Sequence, residues 1–213
     1  MPRDLDLRNW PRLAAFEHFR RLGQPYFSLC ARVDVSALQR RVQRHPGATL
    51  FLAYHHAALR AAQAVEAFRY RLDGDRVRVY EQVDGSTAVL REDESLGFAH
   101  LDYEPDFAAF VARALPALAA ARRPSPGLGA AIEPERAQAQ IHMTTIPWLA
   151  FSSFSHARDS GGADSVPKLA FGKIVREGAA SWMPVAVEVH HALMDGLQVG
   201  RYYEVLQHCL QED

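Results

Sequence analysis

The strongest chemical signal in the sequence lies near the end of the chain. Residues 189–196 read V-H-H-A-L-M-D-G, with an aspartate four residues after the second of two histidines. A histidine with a pKa near neutrality can take a proton from a hydroxyl and return it to a leaving group. Asp195 could fix its tautomer directly or hold the loop that carries it. Neighbouring strand residues face opposite sides, so only one of His190 and His191 can face a given cleft.

Two other interpretations of this histidine pair compete with a general base. Histidines at strand ends are commonly ordinary hydrogen-bonded residues, and the local residues alone leave that alternative open. A zinc site needs three or four convergent ligands, and no Cys/His pair has the usual spacing. Nothing in the sequence brings together the other candidate ligands, His142, His156 and His208. A metal site is therefore not expected.

Composition excludes several classes of protein. The chain has 213 residues, 48% of them hydrophobic, which is enough for one domain spanning residues 1–213. A net charge of −1 without charged blocks argues against a nucleic-acid or anionic-membrane partner. Two cysteines are too few for a disulfide framework. With no signal-peptide pattern and no membrane-length apolar run, we expect a cytoplasmic protein.

Helix and strand patterns alternate along the chain. A helix is expected after a cap at Asn9, with Gly23 as its stop, and Pro116 is expected to kink a later helix. A hairpin turn is predicted at residues 73–75. The further expected helices cover residues 36–45, 49–67, 106–122 and 197–210. The expected strands cover residues 26–33, 68–72, 76–83, 87–90, 98–103, 138–148, 168–176 and 182–191. This mixture predicts one α+β domain with a mixed or largely antiparallel sheet.

Three motifs, in this order, resemble the chloramphenicol acetyltransferase family. They are W-x-R-x-x-x-F at residues 10–16, P-W-x-x-F-x-S-F at residues 147–154 and H-H-x-x-x-D-G at residues 190–196. F-R at residues 68–69 and D-G-D at residues 73–75 also fall where the family has F-R and D-G. H-x-x-x-D-G alone also occurs in peptide-synthetase condensation domains and dihydrolipoyl acyltransferase cores. The resemblance implies a two-layer α+β sandwich, a mixed, largely antiparallel sheet with helices packed on one face.

The resemblance also implies roles for particular residues. His191 is the general base that deprotonates the acceptor hydroxyl, and His190 is structural. Asp195 forms a buried pair with Arg12 that holds the loop, and Ser153 donates to the tetrahedral oxyanion. Without their flanking residues, Ser153 could be a polar strand residue and Arg12 a solvated helix residue. The implied co-substrate is acetyl-CoA, with no metal, and the implied assembly is a homotrimer whose active sites lie between subunits.

The acceptor side departs from the family pattern. The run K-L-A-F-G-K at residues 168–173, which includes Lys168 and Ala170, aligns with a family strand that usually carries apolar residues and a threonine. Here a lysine enters the run, and the hydroxyl is gone. Phe19 and Phe27 keep an aromatic character. These four residues are the expected acceptor-binding set. Lys168 could suit an acidic or more polar acceptor, or it could point to solvent or pair with an acidic neighbour.

Three functions stay open on these grounds. The first is acetyl transfer to a hydroxyl of chloramphenicol or a similar small molecule. The second is an acyltransferase of secondary metabolism acting on a different alcohol or an amine. The third is a non-catalytic ligand-binding protein of the same fold. Four aromatic residues of the motifs are expected in the core rather than in a binding site: Trp10, Trp148, Phe151 and Phe154.

Overall fold

Six α-helices and ten β-strands lie within residues 2–129, 132–158 and 164–212, which the computed structural model describes. The helices are α1 (Leu13–Phe19), α2 (Leu38–Arg44), α3 (Leu50–Ala64), α4 (Phe107–Ala121), α5 (Pro134–Gln138) and α6 (Gly196–Gln211). The strands are β1 (Arg3–Asp4), β2 (Tyr26–Asp34), β3 (Tyr70–Asp73), β4 (Arg76–Val79), β5 (Asp84–Leu90), β6 (Leu96–Leu101), β7 (Gln140–Thr145), β8 (Lys168–Phe171), β9 (Val175–Glu177) and β10 (Ala180–His190).

The long strand β10 organises a seven-stranded sheet. The strand order is β2-β10-β8-β7-β5-β6, and β9 pairs with the first residues of β10. β7 runs parallel to both β5 and β8, whereas the other pairings are antiparallel. The mixed, largely antiparallel sheet predicted from the sequence is therefore confirmed.

The two faces of β10 have different surroundings. Val185, Val187 and Val189 are fully buried in the core, and burying each such side chain contributes about 1.5–3 kcal/mol. Alternate residues such as Glu188 point to the opposite face. α6 packs on β2, α3 on β5 and α4 on β6. The arrangement confirms the predicted two-layer fold, with Glu188 on the face turned away from the core.

A second, three-stranded sheet has the order β1-β4-β3. Gly74 adopts a positive φ of 60° in the turn between β3 and β4, where a side chain would be strained. The predicted hairpin is confirmed. The separate sheet was not predicted, because it depends on the pairing of β1 with a strand more than seventy residues later.

The first helix begins later than the sequence predicts, and this shift matters for the site. The Asn9 side chain donates to Asp6 at 2.7 Å instead of capping a helix. α1 therefore starts at Leu13, with Arg12 as its N-terminal boundary and no side-chain cap. It ends at Phe19, before Gly23. Arg12 lies outside the helical turns, and its side chain reaches the N-terminus of α6.

Several strand and helix limits also differ from the sequence-based expectations. The strand expected over residues 168–176 is divided into β8 and β9 at Gly172. There, a Cβ atom would lie 2.5 Å from Pro184 Cγ, so a larger residue would collide with β10. The helix expected to reach residue 67 ends at Ala64 and is followed by a 3-10 turn. α4 is helical through Pro116.

Candidate active site

His191 follows directly after β10, and two aromatic rings fix its plane. Its ring stacks on Phe19 with centroids 3.7 Å apart and an interplanar angle of 8°. Phe27 packs against it at 4.7 Å and 52°. The backbone N–H of His191 donates to the carbonyl of Pro25 at 2.6 Å. Contacts from α1, from β2 and from the residue just before β2 therefore hold both the ring and the backbone of His191.

The tautomer of His191 follows from one hydrogen bond. Nδ1 lies 3.1 Å from the carbonyl oxygen of Met194. A carbonyl oxygen can only accept, so in the neutral ring Nδ1 carries the proton. Nε2 then presents a lone pair, as a general base requires.

Arg12 clamps the loop that carries this histidine. Its guanidinium donates to Asp195 Oδ2, to the Ala192 carbonyl and to the His191 carbonyl, each at 3.1 Å. Asp195 also caps α6: its carboxylate accepts from the first turn of the helix, and its own backbone N–H donates to Gln198 Oε1 at 2.9 Å. The aspartate thus bonds to Arg12 and the helix terminus, and the tautomer of His191 is held by Met194 instead.

The Arg12–Asp195 pair is less buried than expected. The Arg12 side chain is 13% exposed, but that of Asp195 is 41% exposed. Burial works to raise the pKa of Asp195, but the hydrogen bonds from the Leu197 N–H and from Arg12 outweigh it, so the pKa lies below its ordinary value of 3.8. Solvent screening reduces the contribution of such a pair to stability.

His190 faces away from His191. It is 1% exposed, and its Nδ1 accepts the backbone N–H of Ala192 at 3.2 Å. Its ring makes an edge contact with Tyr26, with centroids 5.2 Å apart. These contacts fit a structural residue within the turn.

Ser153 lies on an irregular segment between β7 and β8, and it is exposed. Within the described residues, its hydroxyl makes no hydrogen bond. The segment is tied to β2 by Ser28 Oγ, which donates to the Phe154 carbonyl at 3.0 Å. Trp148 on the same segment is 65% exposed, so the expectation that it lies in the core is wrong. Pro147 and Trp148 form an exposed turn after β7, where the described residues leave most of the indole ring uncovered.

A cavity of about 550 Å³ lies on the sheet face turned away from the core. Four strands supply lining residues that alternate with core residues, including Ser86 and Ala88 of β5, His100 of β6, Thr144 of β7 and Lys168 of β8. Loop residues close its other sides. The volume falls within the range of small-molecule sites. His191 is absent from the described residues that line it.

The environment of Lys168 combines two of the alternatives left open by the sequence. Its side chain is 7% exposed, and Nζ lies 2.6 Å from Asp164 Oδ2. Nζ also lies 3.3 Å from His142 Nδ1. The lysine is thus paired with an acidic neighbour and lines the cavity, while the alternative of pointing to solvent is wrong.

Other lining residues were not identified from the sequence. Ala170 is fully buried in β8 and is not a lining residue, but Thr144 stands beside it in register and contributes a hydroxyl to the cavity. His142 and His156 both line the same cavity. The alternation of His142 and Thr144 along a strand is the signal that places both on one face.

Within the described part of the chain, no group of three or more side chains could hold a metal ion. The helices of that part also include none long and apolar enough to cross a bilayer.

Comparison with known proteins identifies the family. The sequence model of the family described as chloramphenicol acetyltransferase matches residues 3–207. The chain belongs to this family. A chloramphenicol acetyltransferase of Streptomyces acrimycini is 28% identical, over 99% of this chain and 95% of its own length. Chloramphenicol acetyltransferase 3 of Escherichia coli is 26% identical, over 95% of this chain and 93% of its own length.

Solved structures of this family and of more distant proteins share the fold. One structure of a chloramphenicol acetyltransferase gives a TM-score of 0.87 at 27% identity, covering 99% of this chain and 100% of the other. A probable dihydrolipoamide acetyltransferase from Listeria monocytogenes gives 0.66 at 14% identity, covering 93% and 89%, which is a likeness of fold alone. The predicted family, fold and acyltransferase class are confirmed.

Proposed function

We propose that this chain transfers an acetyl group from acetyl-CoA to a hydroxyl of a small molecule, chloramphenicol or a similar alcohol. The observation that carries the proposal is the state of His191: its ring is held between Phe19 and Phe27, and Nδ1 is committed to the Met194 carbonyl. Only Nε2 is left for proton transfer. The names of the relatives supply the acceptor class.

In the proposed reaction, Nε2 takes the proton of the acceptor hydroxyl as its oxygen attacks the thioester carbonyl. The carbonyl oxygen becomes an oxyanion, and the Ser153 hydroxyl donates a hydrogen bond to it. Collapse of the tetrahedral intermediate breaks the C–S bond, and the sulfur of coenzyme A receives the proton from the His191 imidazolium. Arg12 and Asp195 act by holding the loop, so they are positioning residues.

We further propose a homotrimer in which His191 of one subunit faces the cavity of the next. The separation of His191 from the described lining residues supports this arrangement, as does an exposed Ser153 without an internal partner. The cleanest test is complementation between two inactive variants, His191→Ala and Ser153→Ala. If the two residues serve one site from different subunits, mixed trimers regain activity. Mixtures that refold together and stay inactive would contradict a shared site.

The activity itself is tested by the release of coenzyme A thiol. Wild-type protein with acetyl-CoA should release thiol when chloramphenicol is added, and His191→Ala should not. Silence with chloramphenicol but His191-dependent release with another alcohol or an amine supports the second candidate, which the departures at Lys168 and Ala170 favour. No release across a broad acceptor panel, with no binding of acetyl-CoA, would reject the catalytic proposal.

A further inference from the structure

Four charged side chains form a buried network beside the cavity. Lys168 pairs with Asp164, and Arg158 donates from Nε to Glu188. Arg158 also approaches Asp164, with Nη1 3.8 Å from Oδ2. Their side chains are between 6% and 23% exposed. Two positive and two negative charges therefore balance one another in a poorly solvated place.

The balance of charge limits what the cavity can accept. A buried charge is strongly unfavourable unless an opposite charge compensates it. Asp164 and Glu188 already neutralise Lys168 and Arg158, so a charged group on a ligand would meet no uncompensated partner. The network consequently disfavours both anionic and cationic ligands at this end of the cavity.

The carboxylates of the network have hydrogen-bond partners, whereas several of the neighbouring nitrogen atoms do not. The carboxylates are occupied, since Glu188 accepts from Arg158 and the His156 backbone, and Asp164 accepts from Lys168 and the Val166 backbone. By contrast, Nη1 and Nη2 of Arg158 and both ring nitrogens of His156 are buried without a partner in good hydrogen-bond geometry in the described part of the chain. The Leu169 backbone is a candidate partner for His156, and its effect on the pKa of His156 is the weakest of those acting on the ring. The unused groups are mainly donors, and buried donors without partners are unfavourable.

The two cavity histidines are neutral at pH 7. Burial, together with the charge of Lys168, lowers the pKa of His142 to about 4, and burial also lowers the pKa of His156 to about 4. Each neutral ring has one N–H to donate. Because Nδ1 of His142 faces the ammonium of Lys168, its proton resides on Nε2.

His156 stands where a ligand could use these donors. It lines both the large cavity and a second one of about 390 Å³, which also contains Arg158 and Phe27. Most of the large cavity is apolar, with lining residues such as Ala88, Leu96 and Phe98. The site therefore combines an apolar body with one polar end.

We propose that His156 is a specificity-determining residue, which selects an acceptor whose apolar body carries a neutral oxygen-bearing group at the Lys168 end of the cavity. An amide, ester, ether or hydroxyl oxygen accepts from His156, while the charge network excludes carboxylates and amines. This inference rests on the proposed function only in taking the bound molecule to be the acetyl acceptor.

Four isosteric probes test this selection. Each is a 4′-(hydroxymethyl)biphenyl bearing a carboxamide, isopropyl, carboxylate or amidinium group at position 4, and dissociation constants are measured by calorimetry. The carboxamide should bind about tenfold more tightly than the isopropyl compound, as one net hydrogen bond implies. The two charged probes should bind more weakly than the carboxamide. Tightest binding by a charged probe, equal or better binding by the isopropyl compound, or no saturable binding of the carboxamide would each overturn the proposal.

Variants then attribute the preference to one residue. His156→Phe keeps an aromatic ring and should abolish the preference for carboxamide over isopropyl, with the isopropyl affinity little changed. His100→Phe is the matched change in the same cavity. Because Nδ1 of His100 already faces Gln140 Nε2 at 3.0 Å, that variant should shift all four affinities together. A preference that survives His156→Phe would contradict the assignment.

Binding measured with His191→Ala protein separates this inference from the proposed function. Probe selection that persists without any thiol release by the wild-type protein would reject the acetyltransferase proposal and leave the pocket assignment standing. Thiol release by the wild-type protein without probe selection would reject the pocket assignment and leave the acetyltransferase proposal standing.

Discussion

Two regions hold their polar groups in opposite ways. One is the loop of His191, residues 191–195, and the other is the cavity wall around Lys168, formed by Lys168, Asp164, Arg158, Glu188 and His156. In the loop, the important bonds run to backbone carbonyls and to a helix terminus, and the imidazole is packed between aromatic rings. In the wall, charged side chains hold one another, and several donors stay unused. The first arrangement fixes one atom for one reaction, whereas the second leaves capacity for a ligand.

This difference suggests where function can change and where it cannot. Replacing Arg12 removes three bonds to the loop at once, two to backbone carbonyls and one to the Asp195 carboxylate. Replacing a neutral residue of the wall, such as His156, removes a contact to the acceptor and leaves the ion pairs in place. We therefore expect loop variants to change kcat and wall variants to change the preference among acceptors.

The largest effect is expected for His191→Ala. General-base catalysis contributes about 10²–10⁴-fold, so kcat for thiol release should fall by that factor. The exposed His208 on α6 provides a control, because His208→Ala removes an imidazole far from the turn. Circular dichroism should show both variants folded. Wild-type turnover by His191→Ala would contradict the assignment of the base.

The next largest effect tests whether Ser153, on the segment between β7 and β8, takes part in catalysis. Ser153→Ala should lower kcat by about 10²–10³-fold, the usual effect of losing one oxyanion donor, with KM nearly constant. The adjacent Ser152→Ala is a matched control, since it removes the same hydroxyl one residue away. If Ser152→Ala reduces kcat and Ser153→Ala does not, the wrong serine has been assigned.

The loop could be predicted from the sequence because its determinants are local. A buried strand, a turn and a helix cap all fall within the residues around the H-H-x-x-x-D-G motif, and Asp195 caps the helix that starts beside it. Arg12 was placed there only by the family resemblance, since the sequence predicted a helix starting too early.

The wall could not be predicted in the same way, because its contacts join distant parts of the chain. Glu188 and Arg158 are 30 residues apart, and Lys168 and His142 are 26 apart. Glu188, Lys168 and His142 meet because β8 pairs antiparallel with β10 and parallel with β7. Strand order is decided by the packing of the whole sheet. Local periodicity therefore predicted which segments are strands, but it could not predict which strands lie next to each other.

A smaller effect separates the two functions of Asp195. Asp195→Ala removes the helix cap and should reduce the free energy of unfolding by about 0.5–2 kcal/mol, whereas Asp195→Asn keeps a good cap and should cost less. Because the pKa of Asp195 is lowered, its charge stabilises the fold above pH 3.8, and this contribution is lost as pH falls through the lowered pKa. Denaturation curves should show Asp195→Asn losing less stability than wild type in that acidic window. Equal losses of stability in wild type and Asp195→Asn would show that Asp195 stabilises the fold through the cap and not through its charge.

The last effect is a dependence of stability on pH that is specific to His156 in the wall. The pKa of His156 is about 4 in the folded chain, against an ordinary value of 6.5, mainly because burial disfavours the charged ring. As pH falls from 6.5 towards 4, the unfolded chain gains a proton that the folded chain does not, so stability falls in that window.

His156→Phe lacks this contribution, and its free energy of unfolding should decline less steeply with falling pH than that of wild type. Urea titrations at several pH values measure the two slopes. Asp195 begins to lose its charge only as pH falls below 3.8, so a difference between the two proteins from pH 6.5 to pH 4 reports on His156. Equal slopes would show that His156 is not held neutral in the folded chain.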